Sequence, residues 1–192
     1  MLLWLWGAVS AVFAIECSSD KTDQDCQEIF LLEESCKQKH APDCYSLANL
    51  YKEGKKAEIN LEKSAVFYQL ACEGGYMISC FLLGTMYKEG QGLDRNRKKM
   101  VSLYERACEG GITSACQNLG SMYYHGLELR RNYRKARFYY ERSCQGSNMN
   151  GCYMLAGMYF AGEGGVRKPD KAISLYQKSC EHGHSYACQK LR

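Results

Sequence analysis

Cysteine recurs in this chain at a fixed interval, and that interval leaves few folds open. Cys36, Cys72, Cys108, Cys144 and Cys180 stand 36 residues apart, and Cys44, Cys80, Cys116, Cys152 and Cys188 follow the same period eight residues behind. A strict period of this length is the mark of stacked supersecondary units, each too thin to bury its own apolar face. Counted from the second cysteine of each pair, four copies run without insertion over 44–79, 80–115, 116–151 and 152–187. A cap with a half copy precedes them over 15–43, and a stub over 188–192 follows.

Other positions repeat with the cysteines. Leu47/Leu83/Leu119/Leu155, Tyr51/Tyr87/Tyr123/Tyr159, Gly54/Gly90/Gly126/Gly162, Lys63/Lys99/Lys135/Lys171 and Tyr68/Tyr104/Tyr140/Tyr176 are identical in all four copies. Leu47, Leu50 and Tyr51 lie on one helical stripe, which Gly54 ends. A second helix is predicted from Leu61 to Cys72. Asn60, Asn96 and Asn132 sit where an N-cap belongs, and the fourth copy has Lys168-Pro169 there, with proline suited to the first helical position. Gly74, Gly110 and Gly146 are predicted C-caps. Small residues at Ala48, Gly84, Gly120 and Ala156 let the two helices cross closely. Each copy is therefore a helical hairpin, and the fold class is all-α, an α/α solenoid. The repeated lysine packs its stem on a neighbouring tyrosine while its ammonium stays wet, and the repeated tyrosines are core aromatics with edge hydroxyls.

In the junction Cys72-Glu-Gly-Gly-Tyr-Met-Ile-Ser-Cys80, the first cysteine ends one helix and the second begins the next. Antiparallel neighbours bring two such sulfurs into bridging range. The recurrence predicts the pairs 36–44, 72–80, 108–116, 144–152 and 180–188, leaving Cys17 and Cys26 to each other. Each nine-residue loop should stabilise by roughly 2–3 kcal/mol. Zinc sites favour closer pairs such as C-x-x-C, so no metal or other cofactor is expected. Twelve cysteines in disulfides place the chain in an oxidising compartment. Met1–Ala14 agrees: it is uncharged, apolar and ends Val12-Phe13-Ala14, which reads as a cleaved secretory signal too short to span a bilayer. Localisation is thus secreted or periplasmic, with no stable membrane span. A net charge of +4 from mixed signs does not imply nucleic acid.

The pattern Leu-small-x-x-Tyr-x-x-Gly, then Lys-x-x-x-x-Tyr-x-x-x-Cys, at a 36-residue period, resembles Sel1-like repeats, relatives of tetratricopeptide repeats. With one eight-spaced cysteine pair per copy and a secretory start, the chain resembles the Helicobacter cysteine-rich protein family. That resemblance implies an exported right-handed α/α superhelix with one disulfide per repeat. It also implies penicillin binding, slow β-lactam hydrolysis and recognition by host immunity.

The residues themselves name no catalytic centre. Ser18-Ser19-Asp20-Lys21 spells S-x-x-K without a helix context, and S-D-N, K-T-G and H-E-x-x-H do not occur. Of the four histidines, His40 has no motif around it, His125 ends a first helix beside Tyr124, and His182 and His184 flank Gly183 in a turn. Function on a solenoid is expected where copies differ. On the first helices, the positions opposite the leucine stripe are Tyr45, Asn49, Lys52 and Glu53; Phe81, Thr85, Lys88 and Glu89; Gln117, Ser121, Tyr124 and His125; and Tyr153, Gly157, Phe160 and Ala161. In tetratricopeptide-like stacks this face lines a concave groove. Its aromatic, amide and lysine side chains suit an extended peptide or a protein tail, from a host or a cell envelope. The expected function is a secreted, disulfide-stapled, monomeric scaffold for peptide or protein partners. The alternative is a β-lactam-binding protein or slow β-lactamase, whose ligand would be a β-lactam or a peptidoglycan-like molecule.

Overall fold

The structure, a computed structural model, describes residues 23–192. The signal segment 1–14, Cys17 and the S-x-x-K stretch lie outside the described residues. Among the described residues ten helices follow one another: α1 Asp23–Lys37, α2 Ala41–Glu53, α3 Leu61–Glu73, α4 Met77–Glu89, α5 Arg97–Glu109, α6 Thr113–His125, α7 Tyr133–Gln145, α8 Met149–Ala161, α9 Pro169–Glu181 and α10 Ser185–Gln189. The described residues are all-α, a solenoid of helical hairpins with one disulfide each. They form two compact units, 23–103 and 104–192.

Two kinds of connection alternate. The first joins the helices of one copy. Gly54, Gly90, Gly126 and Gly162 hold φ between 70° and 76°, a left-handed conformation that glycine reaches without a Cβ clash. The chain then returns to the helix it left. The amide of Asn60 donates to the carbonyl of Tyr51 at 2.8 Å, and Asn132 does the same to Tyr123 at 2.8 Å. The Asn60 and Asn132 side chains next accept from the amides of Lys63 and Lys135, starting α3 and α7. Asn96 accepts from Lys99 in the same way at 3.0 Å. The fourth copy starts α9 with Lys168 and Pro169.

The second connection joins copies and is only three residues long, as in 74–76 between α3 and α4. Its cysteines lie inside the helices on either side. Five bridges result: Cys36–Cys44, Cys72–Cys80, Cys108–Cys116, Cys144–Cys152 and Cys180–Cys188, with Cα separations of 4.5 to 4.8 Å. Cys26 is also disulfide-bonded, and its expected partner Cys17 lies outside the described residues. In these turns Gly74 and Gly146 are C-caps with ordinary negative φ. The left-handed residue comes one position later. It is glycine at Gly75, Gly111 and Gly183 but Lys39 and Ser147 elsewhere, so glycine is favoured there and not required.

In the first unit, Leu47, Ala48 and Tyr51 of α2 and Phe67, Tyr68 and Ala71 of α3 are buried where the two helices pack, and Leu83 and Met86 of α4, which packs on α3, are buried as well. Tyr51 stacks on Phe67, with ring centroids 5.6 Å apart. In the second unit, Tyr123, Tyr140, Leu155, Met158, Tyr159, Ala172, Tyr176 and Ala187 form one cluster across α6 to α10. The small position has a measurable role there: a Cβ on Gly120 would lie 2.7 Å from the Tyr140 ring, so α6 and α7 touch through that ring. The repeated lysine covers the repeated tyrosine of the helix before it. Lys63, Lys99, Lys135 and Lys171 place their ammonium 4.6 to 5.3 Å from the ring centres of Tyr51, Tyr87, Tyr123 and Tyr159. Lys171 Nζ also donates to the Tyr159 hydroxyl at 2.8 Å. Burial would push the Tyr159 phenol up, but hydrogen bonds from Lys171 and Arg137 outweigh it and hold the phenol below its ordinary range. No helix among the described residues is long and apolar enough to cross a membrane.

Candidate binding face

The variable positions lie on α2 and α4 in the first unit and on α6 and α8 in the second. Helical periodicity places them away from the leucine stripe. Their surroundings depend on the repeated tyrosine of the second helix, whose ring crosses the hairpin and brings its hydroxyl up between them.

In the first unit, the Tyr68 hydroxyl donates to Asn49 Oδ1 at 2.5 Å. Burial pushes the Tyr68 phenol well above its ordinary range, so it is a neutral donor at physiological pH. Asn49 Oδ1 is thereby engaged within the hairpin, while Asn49 itself is half-buried and keeps the two N–H donors of its amide. Tyr45 leans on the same ring and on Tyr76, at centroid distances of 6.1 and 4.9 Å. Phe81 and Thr85 are half-buried, and Thr85 returns its hydroxyl to the Phe81 carbonyl at 3.1 Å. Lys52 is half-buried and Lys88 exposed.

The second unit repeats the device with different residues. Burial raises the Tyr140 phenol to about 12, while a hydrogen bond from Ser121 pulls the other way. Tyr124 lies 5.4 Å from the Tyr133 ring and 6.4 Å from the Tyr140 ring, and its hydroxyl bonds Glu163. Burial first, then that carboxylate, raises the Tyr124 phenol and keeps it protonated. His125 meets the Tyr124 ring edge-on at 4.9 Å and is exposed. Gln117 accepts from the Asn148 amide at 3.4 Å. Phe160 is 50% exposed, with the Arg167 guanidinium over its ring at 5.2 Å.

The fourth copy breaks the pattern. Gly157 stands where Asn49 and Ser121 stand in the first and third, so no side chain there takes up the Tyr176 hydroxyl. A Cβ on Gly157 would lie 3.5 Å from that oxygen, ordinary contact distance. Tyr176 is 8% exposed, and burial raises its phenol. Beside it Tyr153 stacks on His184 at 4.7 Å with a 21° interplanar angle. His184 is more than a turn residue. Its Nδ1 accepts the Ala187 amide at 3.2 Å, capping α10, and its Nε2 pairs with Asn150 Oδ1 at 2.9 Å. That leaves Nε2 as the protonated nitrogen of the neutral ring. The spacing of His182 and His184 around Gly183 did not signal this cap. A histidine one residue before a short helical run is the only sequence trace of it. Among the described residues no cluster of three His, Cys, Asp or Glu side chains could hold a metal ion.

The Sel1 repeat family model matches residues 41–76, 78–112, 113–148 and 150–184. No curated protein matches the sequence at a significant level. Among solved structures, a protective antigen of uropathogenic Escherichia coli with an SLR fold superposes at a TM-score of 0.78 over 85% of this chain, with 24% identity. The chain spans only 35% of that antigen. A Sel1 repeat protein from Oxalobacter formigenes gives 0.76 at 24% identity, covering 85% of this chain and 72% of that one. Helicobacter pylori cysteine rich protein B gives 0.54 at 29% identity, covering 69% of this chain and 96% of that one.

Proposed function

Since the chain belongs to the Sel1 repeat family, we propose that it is an exported scaffold that holds an extended peptide or a protein tail on the variable face of its first helices. The observation that carries this reading is the Tyr176 hydroxyl. The matching hydroxyls of Tyr68 and Tyr140 are bonded by Asn49 and Ser121, whereas Gly157 leaves that of Tyr176 open to an incoming group. A carbonyl or carboxylate of a bound chain would accept from it, replacing the missing side chain. Around that oxygen, Tyr153 is fixed by His184, and Tyr124 by Tyr133 and Glu163. Rings already held in place lose little freedom on binding, the arrangement that suits an aromatic hot spot. Phe160 adds an exposed apolar side chain on the same helix as Gly157.

The five bridges of the described residues fit an oxidising compartment outside the cytoplasm. The similarity to the Helicobacter pylori protein supports placing this chain with the Helicobacter cysteine-rich proteins. No catalytic motif among the described residues supports the β-lactam activity that this family implies, and Ser18-Ser19-Asp20-Lys21 lies outside them.

The test uses linear peptides selected from a random 12-residue display library and measured by fluorescence polarisation. Tyr124→Ala with Phe160→Ala should weaken the selected peptides at least tenfold while thermal unfolding still shows a folded chain. Equal affinity for this variant and the parent would refute the assignment of the face.

A further inference from the structure

The loop between α6 and α7 departs from its counterparts in charge. At five matched positions the first copy has Glu58, Ile59, Glu62, Lys63 and Ala65, a formal sum of −1. The second has Asp94, Arg95, Lys98, Lys99 and Val101, and the fourth has Val166, Arg167, Asp170, Lys171 and Ile173, summing to +2 and +1. The third has Arg130, Arg131, Arg134, Lys135 and Arg137, a sum of +5. No acidic residue occurs between Glu128 and Glu141. Stacking accounts for two of the five, since Lys135 covers Tyr123 as its counterparts do and Arg137 lies over the Tyr159 ring at 3.9 Å; it does not account for Arg130 and Arg134, whose matched positions in the other copies carry no arginine and which add like charge to a crowded segment.

The same segment borders an open surface pocket of about 440 Å³ lined by Tyr123, Leu129, Arg130, Arg131, Asn132 and Lys135. Two of its cations are held at known points. Lys135 Nζ stands 3.4 Å from the Tyr123 hydroxyl and over the Tyr123 ring, and the Arg131 guanidinium lies over the Tyr133 ring at 5.4 Å. Arg130 has no hydrogen-bond or ion-pair partner among the described residues, and its guanidinium fork is free for an oxyanion. Leu129 and the Tyr123 ring supply an apolar wall beside the three cations.

We propose that this pocket binds a phosphomonoester, with Arg130, Arg131 and Lys135 around the phosphate and the ester carbon against Leu129. Three cations lining one pocket match a dianion with three terminal oxygens better than a single planar carboxylate. The site adjoins the peptide face through the Tyr133 ring, and the proposal does not rest on a peptide being bound there. A soluble phosphorylated compound and a phosphorylated lipid headgroup present the same chemistry.

Phenyl phosphate is the probe for the first source and vesicles containing phosphatidic acid for the second. Titration of the ¹⁵N-labelled chain with phenyl phosphate should shift the amides of 123–135 along a saturable curve. Arg130→Gln with Arg131→Gln should weaken that binding at least tenfold. Arg134→Gln with Lys178→Gln, which removes the same net charge away from the pocket lining, should change it less than twofold. Co-sedimentation with phosphatidic acid vesicles would identify the lipid source, and binding of phenyl phosphate without it the soluble one. Shifts that do not saturate, or equal loss in the two charge-matched variants, would overturn the proposal.

Discussion

Removing one bridge, Cys144–Cys152, by the double substitution Cys144→Ala and Cys152→Ala tests how the stack is held together. The bridge closes a loop of nine residues, and both sulfurs are buried, the cysteines being 4% and 0% exposed. On the chain-entropy model a nine-residue loop contributes about 2.5 kcal/mol by restricting the open state. The connection it reinforces is only three residues long and joins α7 to α8. In a repeat protein each unit contacts its neighbours, so the loss should stay local. Native-state hydrogen exchange reads this directly. Protection of the α7 and α8 amides should fall roughly 70-fold, the equivalent of about 2.5 kcal/mol. Protection of α2 and α3 in the first unit should change less than twofold. A fall below threefold would refute the staple as a major source of hairpin stability. A uniform fall across all helices would refute the nearest-neighbour description.

Two further substitutions address buried charge and backbone strain. Glu33 is 1% exposed, accepts one hydrogen bond from the Tyr51 hydroxyl and leaves its other oxygen unpaired. Burial pushes its carboxyl above the usual range, so it favours folding below the unfolded pKa and loses that contribution as pH rises through the folded one. Glu33→Gln, the residue found at the matched positions Gln69 and Gln177, should therefore stabilise more at pH 7 than at pH 4 in urea titrations. An advantage larger at pH 4 would contradict this. Glu128 holds φ at 60° where the neighbouring copies have Gly92 and Gly164. Glu128→Gly should raise stability by about 0.5–1 kcal/mol, visible as a higher melting temperature, and a lower one would count against strain at that loop.

What the sequence made legible were features with local causes. Gly54 and its repeats ended first helices because a left-handed residue was needed there, and Asn60 and Asn132 started second helices because an orphan amide needed an acceptor. The second helix read as Leu61 to Cys72 runs from Leu61 to Glu73. One disulfide per hairpin followed from the eight-residue spacing, since it recurs at every junction. The repeated lysine on a repeated tyrosine was legible in kind, although the partner tyrosine was not. The binding face was harder to read. A helical wheel shows that Asn49 and Ser121 point away from the leucine stripe. It cannot show that the long Tyr68 and Tyr140 side chains of the opposing helix reach them. The His184 cap depends on a ring turning back onto Ala187, and the pocket beside Arg130 depends on a loop path, neither of which has a periodic signature.

In the proposed function a bound chain completes the hydrogen bonding of Tyr176, and Gly157→Ser probes this with a single substitution. The new hydroxyl would stand where Ser121 stands against Tyr140, at a helix position with ordinary contact distance to the Tyr176 oxygen. Replacing a mid-helix glycine also removes a cost of up to about 1 kcal/mol, so the variant should fold at least as well as the parent. The dissociation constant of selected peptides should rise about tenfold, the worth of one hydrogen bond, with the melting temperature unchanged or higher. An unchanged dissociation constant in a fully folded Gly157→Ser variant would contradict it.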